Sequence, residues 1–379
     1  MGREARINMK ALVVGASGLV GGALMRVLEQ SGIEALGTFH THAQPGLVSL
    51  DIRNRGEITP LFDQFQPTVI FNTTNLAVDY CELHPQRGRD FFLTGTSYLL
   101  AEAARRRALV VHYSTAYIFS GIDGPYGEEN EAAPRNAYGK MKRDAEIMVS
   151  PSHLIIRTMN VFGWGKTSNN FAMQVWNSLH SGKAFSAATD QIGNPTLVEY
   201  LAETSLRLVQ EGARGIFHVV GKEAMSRFAF AEAIARATSL DGGMILSRTT
   251  EELNQKAPRP LNVELKTDKV FRFLETEPLA LSESLKRFRR QWRADTHTSH
   301  SSIIKGDKAE FLKHEILEKV REYHTLTHKL QPFVPYKSRI QYSGRVFGEE
   351  EMVNLVESGL DFWLTLGPYG DFFEKNMKD

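Results

Sequence analysis

The stretch that decides the fold is MKALVVGASGLVGGALMRVLEQ, which occupies residues 9–30. Its apolar run at residues 11–14 predicts a buried strand, and residues 23–30 predict a helix. Glycine recurs at every third position of the intervening turn, which lets the backbone turn tightly and approach a pyrophosphate at the helix N-terminus. The stretch therefore predicts a dinucleotide site. Within it, the predicted cofactor contacts are Gly15, Ser17, Gly18, Leu19, Val20 and Gly21.

Strand-like and helix-like segments alternate along the residues that follow. Strands are predicted at 35–39, 68–71, 109–113 and 154–156, and helices at 98–107 and 138–148. This alternation predicts an α/β fold with a doubly wound parallel sheet of the Rossmann type. Ligands of such sheets bind at the carboxyl ends of the strands. The polar residues expected to share that crevice are Asn72, Thr73, Ser114, Thr115 and Asn160.

A tyrosine and a lysine lie one helical turn apart in NAYGKMKRDAE, as Tyr138 and Lys142. A phenol has a pKa of about 10, and a nearby lysine cation is expected to lower it towards neutral pH. Such a pair also occurs on exposed helix faces. The glycine turn and the Ser114–Thr115 pair upstream favour catalysis. We therefore predict that Tyr138 transfers a proton at a carbonyl, that Thr115 holds the carbonyl oxygen, and that Lys142 assists both tyrosine and cofactor.

The end of the second predicted strand reports on the choice of cofactor. An acidic residue there would bind the adenosine ribose hydroxyls. Here the sequence is Thr-Phe-His-Thr at residues 38–41, with no acid, which favours NADP(H). No arginine is present either, so NAD(H) remains the alternative. His40 is a predicted cofactor contact, and Asp51 with Ile52 is placed either to contact adenine or to cap a helix.

Composition limits the classes of function that this chain can serve. It has 379 residues, a formal net charge of +1 and one cysteine, Cys81. The charge gives no reason to expect nucleic-acid or membrane binding, and no apolar run approaches the roughly 20 residues of a membrane span. A lone cysteine excludes an internal disulfide and fits the cytoplasm. His324 and His328 are spaced like a metal pair, but without an acidic base between them a surface role is favoured, so no metal is predicted.

The chain divides into four predicted parts. Residues 9–165 form the nucleotide-binding core, and residues 166–294 form a substrate-binding region with segments that return to the core. Residues 295–306 are polar, lack periodicity and predict a linker. Residues 307–379 form a tail that begins with an amphipathic helix.

Motifs beyond the glycine turn resemble the extended short-chain dehydrogenase/reductase family, and within it the dTDP-4-dehydrorhamnose reductases. They occur in family order over residues 9–292: AVDYCE at 77–82, STAYIFSG at 114–121, PYGEENEAAPRNAYGKMK at 125–142, QIGNPT at 191–196 and PRPLNVEL at 258–265. The resemblance implies catalytic roles for Thr115, Tyr138 and Lys142. It also implies a nucleotide-sugar substrate, with contacts at Ser114, Ala116, Asn160, Asn170, Pro195 and Arg259.

Three positions depart from the pattern of these reductases. Ala116 replaces the usual aspartate after Ser-Thr, Asn160 replaces a tryptophan on the substrate side, and Phe92 replaces a helix asparagine common in the wider family. The RTMNVFG segment around Asn160 is more similar to sugar-nucleotide epimerases and dehydratases. The cofactor and proton-transfer residues are thus kept, whereas the sugar pocket is expected to differ.

The tail carries a second resemblance. Residues 333–377 are similar to the opening segment of the CDP-4-keto-6-deoxyglucose 3-dehydratase within the sugar aminotransferase-like enzymes. The chain stops before the cofactor-binding part of that fold. The tail is therefore expected either to dock on a sugar dehydratase or a second copy of the chain, or to be the remnant of a split or truncated fusion. The resemblance implies a CDP-linked 3,6-dideoxyhexose as the substrate.

Three hypotheses follow. The first is an NADP(H)-preferring 4-ketoreductase of a nucleotide sugar in cell-surface polysaccharide synthesis, including lipopolysaccharide. The second is an NAD-dependent epimerase or dehydratase of a nucleotide sugar. The third is a non-catalytic, cofactor-binding partner similar to the regulatory subunit of methionine adenosyltransferase.

Overall fold

A computed structural model describes residues 9–149, 151–165 and 169–300, with side chains up to 292. Further along the chain it describes helical residues 313, 316–317, 319–324, 352–353 and 355–356. The chain forms two compact units, Met1–Trp292 and Arg293–Asp379.

The strands are short, and most end at a turn or at the start of a helix. Their bounds are β1 Lys10–Val14, β2 Glu34–Phe39, β3 Val48–Ser49, β4 Val69–Asn72, β5 Leu109–Thr115, β6 Leu154–Thr158, β7 Val161–Phe162, β8 Phe185–Ala188, β9 Ile192–Gly193, β10 Thr196–Leu197, β11 Gly215–His218, β12 Met225–Ser226 and β13 Ile245–Arg248.

The helices fill most of the connections between these strands. Their bounds are α1 Leu19–Gln30, α2 Arg55–Phe65, α3 Val78–Leu83, α4 Pro85–Arg89, α5 Gly95–Arg106, α6 Ala137–Met148, α7 Phe171–His180, α8 Val198–Gln210, α9 Arg227–Ala237, α10 Asp268–Leu274 and α11 Leu281–His300. A π-helical turn, Asp90–Thr94, joins α4 to α5, and 3-10 turns lie at Ala116–Ile118 and Gly242–Met244.

Seven strands form one parallel sheet in the order β11-β6-β5-β4-β1-β2-β3. Successive strands step outwards on either side of β1, so the order reverses between β1 and β4. In doubly wound sheets the ligand crevice opens at such a reversal, beyond the carboxyl ends of the strands. The predicted α/β Rossmann class is confirmed.

Both faces of this sheet are buried. Along β1, Ala11 and Val13 belong to one hydrophobic cluster while Leu12 and Val14 belong to another on the opposite face. A strand covered on both sides needs a continuous apolar run, which explains why KALVV carries no alternation of polar residues. A third cluster packs α7, α9 and β7 together, with Phe162 of β7 against Phe230 of α9.

The predicted elements differ from the structure mainly at their ends. α1 begins at Leu19 rather than residue 23, because its glycines are compatible with helix. β5 continues through Thr115, so the hydroxyl pair belongs to the strand itself. Residues 295–300 of the predicted linker are helical and continue α11, and the linker role of residues 295–306 stays a prediction. The boundary at residue 165 stays a prediction, since both regions lie in the first unit.

The described part of the tail consists of helical residues. Ile316, Val320 and Tyr323 are helical, as their spacing predicts, and His324 belongs to the same run. Leu312, His328 and the stretch 333–377 that resembles a dehydratase lie outside the described residues. Across the described chain, no helix is both long enough and apolar enough to span a bilayer.

Candidate active site

A cavity of about 910 Å³ opens at the carboxyl ends of the central strands. The predicted site residues that line it are Gly15, Ser17, Gly18, Leu19, Val20, His40, Asp51, Ile52, Thr73, Ser114, Thr115, Tyr138, Lys142 and Asn160. The glycine turn, the hydroxyl pair and the tyrosine–lysine pair therefore face one space. In the described chain, no group of three or more His, Cys, Asp or Glu residues is placed to hold a metal ion.

The glycine turn has the shape that a pyrophosphate requires. Gly15 has a φ of +87°, a left-handed conformation that side chains disfavour. A Cβ atom on Gly21 would overlap the carbonyl oxygen of Gly15, so the turn packs directly on α1. No side chain caps the N-terminus of α1 at Gly18. Its first amides remain available to an anion, so these residues fit a dinucleotide.

The cavity wall beyond β2, where adenosine is predicted to bind, carries one carboxylate that is already engaged. Asp51 accepts hydrogen bonds from the Arg53 side chain at 2.7–3.2 Å, and these hold the pKa of Asp51 below its usual value. The Nε2 atom of His40 lies 3.6 Å from the same carboxylate. β2 itself ends in Phe39 and is followed by His40, Thr41 and no acid.

Tyr138 is buried, and its hydroxyl faces the cavity. The hydroxyl donates to Oδ1 of Asn75 at 3.0 Å. Burial raises the pKa of Tyr138 above its usual value, while hydrogen bonds with Thr115 and Asn75 act in the opposite direction. The net pKa of Tyr138 is thus raised and not lowered towards neutral pH as predicted, because loss of solvent around the phenol outweighs its hydrogen bonds. The separate effect of the Lys142 charge stays a prediction.

Lys142 is 2% exposed and is held by backbone oxygens. Its ammonium donates to the carbonyl of Tyr113 at 2.9 Å and to that of Thr74 at 3.4 Å. It also lies 4.6 Å from the ring centre of Phe92, a cation–π contact. Burial lowers the pKa of Lys142 to about 8. Phe92 thus desolvates the ammonium at a position where the wider family's asparagine would offer a polar group.

Three hydroxyls, those of Ser114, Thr115 and Thr158, line the cavity at the carboxyl ends of β5 and β6. Thr115 and Thr158 are register partners on β5 and β6. The Oγ atoms of Ser114 and Thr158 are buried and form no hydrogen bond within the described chain. Buried hydroxyls are usually paired, so two unpaired ones facing a cavity indicate places for ligand atoms. Thr115 accepts a hydrogen bond from the backbone N–H of Tyr117 at 3.2 Å, which fixes its orientation.

The remaining predicted residues do not line the cavity: Gly21, Asn72, Ala116, Asn170, Pro195 and Arg259. Asn72 is buried, and its Oδ1 atom accepts a hydrogen bond from Oγ1 of Thr74 at 2.7 Å. It therefore orients a residue that does line the cavity. Asn170 caps α7, and Arg259 pairs with Asp79 at 2.9 Å. For these residues a direct ligand contact remains a prediction.

The sequence did not mark several polar residues that line the cavity. Among them are Thr74, Asn75, Thr158 and Arg227. Asn75 and Thr74 follow β4 directly, so the rule used for Asn72 and Thr73 could have been extended by two residues. Thr158 ends β6 and obeys the same rule. Arg227 lies at the start of a helix remote in sequence, and no local pattern marks it.

The family was tested by comparison with known proteins. The model of the RmlD substrate binding domain matches residues 9–293. The chain belongs to this family. It is 32% identical over 263 residues to the "probable low-salt glycan biosynthesis reductase" of Haloferax volcanii, covering 66% of this chain and 88% of the relative. The predicted family over residues 9–292 is thereby confirmed, and the match does not extend to the tail.

Two further likenesses bear on what the family does. A Bacillus anthracis structure described as dTDP-4-dehydrorhamnose reductase in complex with NADP is 25% identical, with a TM-score of 0.68, and the match covers 75% of this chain and 99% of that one. The methionine adenosyltransferase 2 subunit beta of Rattus norvegicus is 29% identical over 281 residues, covering 70% of this chain and 84% of the relative. The reductases among these relatives confirm the predicted oxidoreductase class.

Proposed function

We propose that this protein reduces the 4-keto group of a nucleotide-linked deoxyhexose with NAD(P)H, in the synthesis of cell-surface polysaccharide. The observation that carries the proposal is the convergence of the Tyr138 hydroxyl, the Lys142 ammonium and the glycine turn on one cavity. The named reductases of the same family support the substrate class. A cytoplasmic enzyme is part of the proposal, supported by the lone cysteine.

The chain's own residues supply binding, orientation and the proton. A bound nicotinamide cofactor supplies the hydride that reaches the carbonyl carbon. Tyr138 donates its proton to the carbonyl oxygen, for which the raised pKa of the buried phenol keeps that proton in place at neutral pH. Thr115 hydrogen-bonds the same oxygen. Lys142 is anchored on two carbonyls one helical turn from Tyr138, and its positive charge is proposed to stabilise the phenolate that forms.

NADP(H) is the proposed cofactor, with NAD(H) as the alternative. The support is the lack of an acid at the end of β2 and the engagement of the Asp51 carboxylate by Arg53. His40 lies beside this pair, where it can donate to a 2′-phosphate. Dissociation constants for NADPH and NADH, measured on the same preparation, decide between the two.

The test follows oxidation of NADPH and NADH with dTDP- and CDP-linked 4-keto-6-deoxyhexoses, on the full chain and on a chain ending at residue 295. Tyr138→Phe should lose several orders of magnitude in turnover and keep cofactor binding. The matched control is Tyr117→Phe, a tyrosine of the same wall whose ring lies 6.3 Å from that of Tyr138. Loss of turnover in the control alone would move the acid to Tyr117, and no oxidation with any 4-keto sugar would defeat the proposal.

A second candidate is a non-catalytic, cofactor-binding subunit, favoured by the similarity to methionine adenosyltransferase 2 subunit beta. It predicts a protein that binds NADP and a second polypeptide but reduces no keto sugar.

The epimerase or dehydratase alternative predicts instead that NAD remains bound after purification and is not consumed. The amount of NAD released when the purified protein is denatured, measured with a coupled dehydrogenase, separates that case from the reductase.

A further inference from the structure

Arg227 brings a positive charge into the cavity from a part of the chain remote from the glycine turn. It is the first residue of α9, and its backbone N–H donates to the carbonyl of Gln191 at 3.0 Å. Its guanidinium carbon lies 4.8 Å from the ring centre of Phe171, which also lines the cavity. Phe171 stacks in turn on Phe230 of α9, with ring centres 5.7 Å apart. The guanidinium is therefore held in place by two packed helices.

Three other buried or half-buried arginines of the first unit have carboxylate partners. Arg157 pairs with Glu146 at 2.8 Å, Arg259 pairs with Asp79 at 2.9 Å, and Arg106 pairs with Glu102. Among the residues that the structure describes, no carboxylate forms an ion pair with Arg227. A positive charge that is partly withdrawn from water and lacks a protein partner is free to pair with an anionic ligand.

The cavity must satisfy two anions if its ligands are a dinucleotide and a sugar nucleotide. The glycine turn, with the uncapped amides of α1, takes one pyrophosphate. Arg227 is the one arginine that lines the cavity among the described residues, and the guanidinium fork matches phosphate oxygens in pairs. The second anion is then left for Arg227, at the side of the cavity formed by α7 and α9.

We propose that Arg227 binds the diphosphate of the nucleotide-sugar substrate, with Phe171 fixing the guanidinium plane. This inference rests on the proposed function and names the residue that selects nucleotide-linked sugars over free ones. The neutral parts of the substrate contribute little to this contact, so the subsite recognises nucleoside diphosphates irrespective of the base.

The experiment measures binding of dTDP and CDP to the full chain by calorimetry, in the presence of saturating NADP. Arg227→Ala and Arg227→Gln should each weaken nucleoside diphosphate binding about tenfold or more, as expected for loss of a charge-assisted contact. Thymidine and cytidine binding, and the affinity for NADPH, should change less than about twofold. The matched control is Arg236→Ala on the exposed face of the same helix, which should bind dTDP like the unaltered protein.

Two results would overturn the subsite. One is unchanged dTDP and CDP binding in both Arg227 variants, or an unaltered protein that binds neither diphosphate. The other is weakened NADPH binding with intact dTDP binding, which would assign Arg227 to the cofactor. Binding that depends on Arg227 in a protein that reduces no keto sugar would defeat the proposed function and leave the subsite standing. If Arg227→Gln reduces the keto sugar with an unchanged KM, the subsite is refuted and the proposed function stands.

Discussion

Replacing Gly21 with alanine tests whether the contact between the glycine turn and α1 shapes the cofactor site. A Cβ atom at this position would overlap the carbonyl oxygen of Gly15 and lie 2.7 Å from the Cα atom of Ala16. Both obstacles are backbone, so relief requires the turn itself to shift. Overpacking of this kind costs about 1–3 kcal/mol. We expect Gly21→Ala to lower the free energy of unfolding by that amount, offset in part by the higher helix propensity of alanine. It should also weaken NADPH binding, because the displaced amides no longer converge on a pyrophosphate.

The adjacent residue provides a matched control. A Cβ atom on Gly22 would lie 3.4 Å from its nearest neighbour, the carbonyl oxygen of Ala16, which is close to ordinary contact. Alanine is favoured over glycine within helices by about 0.5–1 kcal/mol. Both variants add one methyl group to α1, so both gain the same helix propensity from alanine. The difference between them therefore reports the clash alone.

The assay is thermal unfolding of the full chain together with a fluorescence titration of NADPH. A difference of 1 kcal/mol corresponds to about 2–4 °C in the melting temperature of a domain of about this size. We expect Gly22→Ala to melt at or above the unaltered protein and Gly21→Ala clearly below it. Equal melting temperatures and equal NADPH affinities in the two variants would refute the steric account of the turn.

Further predictions concern the acid, a buried ion pair and pH. Asn75→Asp places a negative charge at the acceptor of the Tyr138 hydroxyl, so the alkaline limb of the kcat/KM pH profile should move upwards, and an unmoved limb would contradict the contact. Glu146→Gln leaves the buried Arg157 unpaired and should cost about 3–5 kcal/mol in urea unfolding, against under about 1 kcal/mol for an exposed pair. Burial lowers the pKa of His218 to about 3, so the unfolded chain binds a proton that the folded one does not between about pH 6.5 and 3. The free energy of unfolding should therefore decrease as the pH is lowered through that window, by about 1.4 kcal/mol per pH unit for this residue. His218→Gln should make this decrease smaller.

The candidate site was predictable only where its residues follow a local rule. The hydroxyls of Ser114 and Thr115 and the glycines lie at ends of strands, and the sheet order brings those ends together. Arg259 and Asn170 were assigned by resemblance, and the structure gives them an ion pair and a helix cap instead of a place on the cavity wall. Their motifs are retained in the sequence, but a motif alone does not specify which way its side chains face.

The strand–turn–helix unit, the alternation that builds the parallel sheet and the tyrosine–lysine spacing are all readable from the sequence, because each depends on neighbours within one or two turns of chain. Three features required the packed structure: Asn75 accepts the hydrogen bond of the Tyr138 hydroxyl, burial raises the pKa of this phenol, and Arg227 lines the cavity with no carboxylate partner among the described residues. These features depend on contacts between segments far apart in sequence and on the exclusion of water between them. Local sequence periodicity reports neither the long-range contacts nor the exclusion of water, because both arise only when the helices have packed on the sheet.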